Sequence, residues 1–447
     1  MTAVDPSWLA ELTEFLRIPS VSADPAHAPD VERAGRWVCS FVERAGGSAE
    51  LLDWHGAPLA TGEIPASDGA GTAPTVLVYG HFDVQPPEPL DEWGSPPFEP
   101  TVRDGWLYAR GTADDKGQLY MLLKAAELLT AEGALPVNVR FACDGEEETG
   151  GHSIVDFLAA DEGHAVACVI FDSSMLARGV PAFNIATRGL AYFHLRVRTG
   201  ARDLHSGMYG GAALNAMHAL VEALGGVLPR DGRLPEPLRA GLVPPTEAEL
   251  ADWRSLPAGD GALADQGARR SDARAAEEFY LRTWAEPALD VNGLEGGSPQ
   301  LQKTVLPVLA EGNLSIRLAP GQRVDEIAPE VERLLREAAP AGAEVELELM
   351  ASSEPGLVPA DSAAIGLGLD AFERALGVRP LLIRSGGTLP IVPALVKKGV
   401  PAIVTGFDLP EGNIHAPDER LLLEHLPLGV AAARELFVAL GALRRGD

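Results

Sequence analysis

Cysteine is scarce. The 447 residues include three, Cys39, Cys143 and Cys168, an odd number lodged in apolar segments without a close metal-type spacing. This excludes a disulfide scaffold and argues against a thiolate metal site, leaving reduced core thiols as the plain reading. Basic residues are also few, 36 Lys plus Arg against 64 Asp plus Glu, for a formal charge of -28. Such a surface repels phosphate backbones and anionic lipid, so neither nucleic acid nor a membrane is an expected partner. No apolar run is long enough to span a bilayer, and Met1–Ala10 lacks a basic segment followed by an apolar one, so the expected location is the cytoplasm. Any metal would need histidine and carboxylate ligands.

What is present is ample apolar material, 46% of the residues, in a chain longer than one core usually supports. Asp5-Pro6 opens a helix that Pro19 stops, and a second helix runs from about Asp30 to Ala45, ended by Gly46-Gly47. Thr75–Tyr79, Val137–Ala142 and Ala165–Phe171 are short, continuously apolar runs of the kind buried in a parallel sheet, separated by helical patterns such as Leu119 to Leu129. Phe98 to Ala109 reads as a hairpin turning at Asp104-Gly105. Near Ala186 the pattern changes to alternation, with Phe193, Leu195 and Val197 between polar neighbours. A helix over about 212–224, a long helical region bearing Pro and Arg, strand 313–318, helix 324–338 and strand 345–350 follow. From Asp361 the buried style returns at Leu381–Arg384 and Ala402–Phe407. The expected fold is therefore α/β, a mainly parallel sheet flanked by helices over residues 1–189 and 354–447, with a smaller α+β domain inserted at 190–353.

The chemistry gathers at Asp144-Gly-Glu-Glu-Glu-Thr-Gly-Gly151. An acidic triplet is ordinarily a solvated helix start. Here it follows a strand, and so do other candidate ligands: His81 after Thr75–Tyr79, Asp172 after Ala165–Phe171, and His415 a few residues beyond Ala402–Phe407. Ligands of open α/β sheets bind beyond the carboxyl ends of the strands. Two histidines and several carboxylates suit zinc or another borderline divalent ion, and Asp114 is placed to bridge two of them. Asp83, two residues from His81, can hold its imidazole. Of Glu147 and Glu148, one can ligate while the other takes a proton from water.

Gly80-His-Phe-Asp-Val84, Gly111-Thr-Ala-Asp-Asp-Lys-Gly117, Gly145-Glu-Glu-Glu-Thr-Gly150 and Asp172 together resemble the M20 family of dinuclear zinc metallopeptidases. Order, spacing and strand context agree over most of the chain. The resemblance implies that His81 and Asp172 hold one zinc, Glu148 and His415 the other, with Asp114 bridging and Glu147 as general base, while Glu146 keeps the plain reading of a spacer. It also implies a cis peptide between Asp114 and Asp115. The surroundings of His415 match more loosely than the N-terminal motifs.

Asp203-Leu-His-Ser-Gly-Met-Tyr-Gly-Gly211 is similar to the lid motif of the cytosolic dipeptidase and carnosinase branch. In that branch the lid histidine, here His205, reaches the partner subunit's site, so the inserted domain is expected to be a lid and dimerisation domain of a homodimer. Lys303-Thr-Val-Leu-Pro307, Leu314-Ser-Ile-Arg-Leu318 and Ser385-Gly-Gly-Thr388 also match, which makes Thr304, Arg317 and Thr388 expected contacts of the substrate. Arg suits a carboxylate, as a planar bidentate donor that stays charged.

The expectation is hydrolysis of the amide bond of dipeptides, or of similar short substrates with a free C-terminal carboxylate, by a metal-bridging hydroxide. Two divalent ions are implied, zinc first, with manganese and cobalt open. The same centre would serve an N-acyl-amino-acid deacylase or a succinyl-diaminopimelate desuccinylase. A dinuclear phosphoesterase would leave the Asp203–Gly211 motif and Arg317 unexplained. A non-catalytic metal-binding protein is the remote alternative, against which stands the filling of every catalytic position. His27, His55, His152, His164, His194 and His218 read as ordinary structural residues.

Overall fold

The computed structural model of the chain describes residues 4–444. The chain divides into two compact units, one of Met1–Ile185, Val358–Leu382 and Ala394–Asp447, the other of Ala186–Leu357 and Ile383–Pro393.

The first unit is built on strands in the spatial order Ser48–Trp54, Ala57–Ile64, Asn138–Asp144, Thr75–His81, Ala167–Phe171, Ala402–Thr405 and then the strand beginning at Ala182. The four from Asn138–Asp144 to Ala402–Thr405 pair in parallel. Strands buried on both faces need apolar residues at nearly every position, which is why these segments read as continuous runs. Thr75–His81, for instance, is buried at all but its first residue. Helix His425–Leu440 packs against both Lys116–Ala131 and Ala363–Leu376. The first helix, Pro6–Leu16, starts where Asp5 accepts from the Ser7 amide.

The antiparallel hairpin Ser48–Trp54/Ala57–Ile64 is not apparent from the sequence pattern. It lies at the sheet's edge with only partial burial, and Glu50, Asp53 and Pro58 interrupt its apolar residues. Its turn is legible afterwards, since His55 and Gly56 have φ of 57° and 92°, both positive as a tight two-residue hairpin turn requires.

The second unit centres on an antiparallel sheet in the order Ala288–Glu295, Leu309–Leu318, Gly189–Arg198, Glu344–Ser353. Leu309–Leu318 alternates buried and half-buried residues along its length, as a sheet with one covered face demands. Helices Ala216–Leu224 and Val324–Ala338 pack on that face over Phe193, Leu195, Leu314 and Ile316. The expected long helical region after residue 224 is instead short pieces, Glu247–Arg254, Gly259–Asp265 and a turn over Leu281–Ala285. Pro229, Pro235, Pro237, Pro244, Pro245 and Pro257 break it, because each removes a helical donor. The Arg384 guanidinium bonds Glu249 at 2.6 Å, both side chains 1% exposed, and so ties the returning segment Ile383–Pro393 into this unit.

Candidate metal centre

Every ligand candidate lies in the first unit, at or just beyond the carboxyl end of a parallel strand or, for Asp114, at the head of helix Lys116–Ala131. His81 is the last residue of its strand, and Asp172 directly follows Phe171. Glu147 and Glu148 begin a single helical turn that Gly150 ends at φ 69°. His415 sits at φ 60° in the loop after Ala402–Thr405.

Two groups of potential ligand atoms result, His81 with Asp114 and Asp172, and Asp114 with Glu148 and His415, each within 4.8 Å of one another. Asp114 belongs to both. Its Oδ1 is 3.0 Å from His81 Nε2 and its Oδ2 is 2.9 Å from His415 Nε2, so the two oxygens of one carboxylate face different groups. Glu148 Oε2 lies 3.2 Å from His415 Nε2, and Asp172 Oδ1 4.0 Å from His81 Nε2. Histidine nitrogens and carboxylate oxygens arranged around a shared aspartate fit a pair of divalent ions.

Electrostatics favour the same occupant. Burial disfavours charge on His81, yet Asp114 and Asp83 outweigh it and hold its pKa well above the ordinary range. His415 is pushed up to about 10 by its bonds to Asp114 and Glu148. Asp172 is pushed up to about 7 by burial, and Glu147 to about 8 by burial together with the charges of Asp172 and Glu148. Carboxylates this crowded gain from a cation among them, and divalent ions can take the place of protons there.

Asp83 does more than orient an imidazole. Its Oδ1 lies 3.3 Å from His81 Nδ1 and accepts from the Glu147 amide at 3.3 Å, while Oδ2 accepts from the Glu148 amide at 3.1 Å and from Ser22 Oγ at 2.6 Å. The Asp83 carbonyl is equally near His81 Nδ1, at 3.2 Å. One carboxylate thus links the His81 strand to the glutamate turn. Glu146, expected to be a spacer, receives the Ser153 amide at 2.9 Å and caps the following helix. The Asp114–Asp115 peptide is cis, as the resemblance implies.

Some supporting residues lay outside the sequence reading. Gln85 Nε2 donates to Glu148 Oε2 at 2.8 Å and to its carbonyl at 3.2 Å. It stands two residues past Asp83, the only hint the sequence offers. Ser22 carries no motif at all. Glu419 is buried beneath the Asp114 segment.

His205, Thr304, Arg317 and Thr388 belong to the second unit. His205 and Thr304 are neighbours, since Leu204–His205 pairs with Val305–Leu306 and the Ser206 amide donates to the Thr304 carbonyl at 3.1 Å. His205 is exposed, with Nδ1 accepting from the Gly207 amide at 3.1 Å. Arg317 Nη1 donates to Thr388 Oγ1, which donates to the Arg188 carbonyl, each at 3.0 Å. The Arg188 side chain, absent from the sequence reading, donates to the Gly386 carbonyl at 3.2 Å, and burial and then the charge of Arg317 lower its pKa to about 10.

A parallel α/β core with two acid–histidine groups sharing one carboxylate has the architecture of a metal-dependent hydrolase. The chain belongs to peptidase family M20/M25/M40, whose profile matches residues 77–439. It is 30% identical to a cysteinylglycine-S-conjugate dipeptidase of Corynebacterium striatum over 443 residues, 94% of this chain and 93% of that one. It is 29% identical to the human beta-Ala-His dipeptidase over 428 residues, 91% and 81% of the two chains. Among solved structures, human carnosine dipeptidase 1 superposes with a TM-score of 0.73 at 25% identity, covering 98% of this chain and 96% of that one. An M20 family metallo-carboxypeptidase from Sulfolobus solfataricus shares the fold at a TM-score of 0.81 and 24% identity, over 98% and 100% of the chains. Among the described residues, no helix is long and apolar enough to cross a membrane.

Proposed function

We propose that this chain is a dipeptidase that hydrolyses the amide bond of short peptides bearing a free C-terminal carboxylate. The observation that carries this reading is the Asp114 carboxylate, one oxygen toward His81 and the other toward His415, with Glu147 beside Glu148 on the adjoining turn. The dipeptidase names of the relatives support the substrate class.

His81, Asp114 and Asp172 would hold one ion, and Asp114, Glu148 and His415 the other, zinc being the metal that best suits this donor set. When bound, such a pair acidifies water and polarises a carbonyl. Glu147 takes the proton from the attacking water and passes it to the leaving amine. Its half-buried carboxylate among like charges has the raised basicity that this two-way transfer needs. Asp83 keeps the Glu147 and Glu148 amides in register with His81. Arg317, Thr388 and Thr304 receive the substrate carboxylate, in a region where Arg188 adds a second positive charge.

The second unit acts as lid and dimerisation domain, and His205 of a second copy polarises the scissile carbonyl. The exposure of His205, Met208 and Tyr209 on one short segment suits contact with another molecule. The three free, buried cysteines suit the cytoplasm.

Replacing Glu147 by Gln tests the reading. Turnover of Cys-Gly and β-Ala-His is expected to fall by about 10²–10⁴-fold with metal content unchanged. Undiminished turnover at full metal occupancy would remove Glu147 from the mechanism, and a preference for N-acyl-amino acids in the same assays would move the enzyme to the deacylases.

A further inference from the structure

The loop that carries His415 closes on itself where the Arg420 amide donates to the Gly412 carbonyl at 2.8 Å. Just before that closure lies Glu419, 0% exposed and four residues past His415. Its carboxylate collects four hydrogen bonds, all from the segment that leads to Asp114. Oε2 accepts from Arg110 Nη1 at 2.8 Å and from the Gly111 amide at 2.9 Å. Oε1 accepts from the Ala113 amide at 2.9 Å and from the Asp114 amide at 3.2 Å. The Glu419 carbonyl adds a fifth contact, accepting from the Ala109 amide at 3.1 Å.

A buried carboxylate is tolerated only when fully paired. Arg110, 1% exposed, supplies one countercharge for that purpose. An ion pair alone would leave the three backbone amides unexplained. Amides of Gly111, Ala113 and Asp114 turned toward one anion form a main-chain cradle, and the anion comes from the His415 loop. Glu419 therefore joins two chain segments about 300 residues apart that deliver Asp114 and His415 to within 2.9 Å of each other. Its oxygens bind the backbone of Asp114, leaving both side-chain oxygens of that residue free for the site.

We infer that Glu419 is a positioning residue for the metal centre, a clamp that sets the distance between Asp114 and His415 before any ion arrives. The inference rests on the reading of those two residues as metal ligands. It differs from the role of Asp83, which organises the His81 and glutamate segments. The pair of clamps divides the site, and Glu419 governs the Asp114–His415 half.

The test is metal affinity, measured by competition with a chromogenic chelator on the full-length protein, in Glu419→Gln and Glu419→Asp. Gln turns an amide N–H toward one of the two donor pairs, and Asp keeps the charge for Arg110 but withdraws it from the Ala113 and Asp114 amides. Each variant is expected to bind one of the two ions about 10- to 100-fold more weakly. The kcat should recover at saturating metal, which a general loss of structure would not allow. Wild-type affinity for both ions in either folded variant overturns the clamp.

Should the variants not fold, the wild type decides. Residue-resolved hydrogen exchange of chelator-stripped protein is expected to show the Gly111, Ala113 and Asp114 amides already protected. Protection that arises only after metal is added overturns pre-setting. Asp114→Asn separates the two levels. Metal loss there with full affinity in Glu419→Gln rejects the clamp alone, whereas full affinity in Asp114→Asn rejects the metal-centre reading beneath it.

Discussion

The acid–histidine cluster of the first unit and the His205 segment of the second are held in opposite ways. In the first, His81, Asp83, Asp115 and Glu419 have no measurable exposure, the three carboxylates among them accept from backbone amides, and the one exposed member, His415, is held by Asp114 and Glu148. His205 stands exposed on a strand pair two residues long, steadied by one local bond to Gly207. Buried, paired charges keep their geometry without a ligand, whereas an exposed imidazole gains a defined position only through contact. Metal holding should accordingly be a property of the first unit's side chains, and substrate handling should depend on the second.

The sharpest division concerns stability within the second unit itself. Among the described residues its one strongly buried ion pair, Arg384 with Glu249, is 1% exposed on both sides and lies against Trp253, with the Arg384 guanidinium carbon 5.9 Å from the ring centre. Glu249→Gln leaves the guanidinium uncompensated, and a loss of about 3–5 kcal/mol is expected, read by chemical denaturation with Trp253 and Trp284 as local reporters. Burial works to raise the Glu249 pKa, but Arg384 and the Thr246 cap hold it below the ordinary value. Its contribution is thus fully present above the unfolded pKa and disappears as pH falls through the lower folded one. Wild type and variant should converge in acid; a gap that stays constant down to the lower limit of folding would contradict the ion-pair account.

Next in size is His205→Ala: on the proposed role of His205, kcat is expected to drop by about 10²–10³-fold, the effect of one lost oxyanion donor, with metal content unchanged. Mixing this variant with Glu147→Gln should restore part of the activity if the imidazole serves a second copy. Loss of metal on removing His205 would break the division between the units.

The smallest effect falls on recognition. On the proposed role of Arg317, Arg317→Ala removes a charge-assisted contact of about 1.5–3 kcal/mol, so KM for free dipeptides should rise about 10- to 100-fold. C-terminally amidated peptides, which lack the anion, should be nearly indifferent to the change. Equal sensitivity of both substrates would place Arg317 in the scaffold, bonded to Thr388 for structural reasons alone.

Much of this was legible in advance where the physical cause is local. Thr75–His81 and Ala167–Phe171 announce buried parallel strands because burial on both faces leaves no room for polar residues, and ligands at strand ends follow from that assignment. The Ser48–Ile64 hairpin did not announce itself, because an edge strand tolerates a mixed pattern. The long helix expected after residue 224 does not form, because the prolines in that region remove helical donors and leave only short pieces such as Glu247–Arg254.

The sequence by itself determined which residue types were on hand: two histidines and a set of carboxylates in an acidic, cysteine-poor chain, most of them following an apolar run and Asp114 preceding a helix. Tertiary structure alone decided how they share work. That Asp114 turns one oxygen to His81 and the other to His415, that Asp83 gathers the glutamate amides, that Gln85 holds Glu148 and that Glu419 reaches back to Gly111, Ala113 and Asp114 depends on segments up to about 300 residues apart. Local propensity carries no information about such pairings, because a carboxylate's role is set by the donors that surround it once the chain has folded.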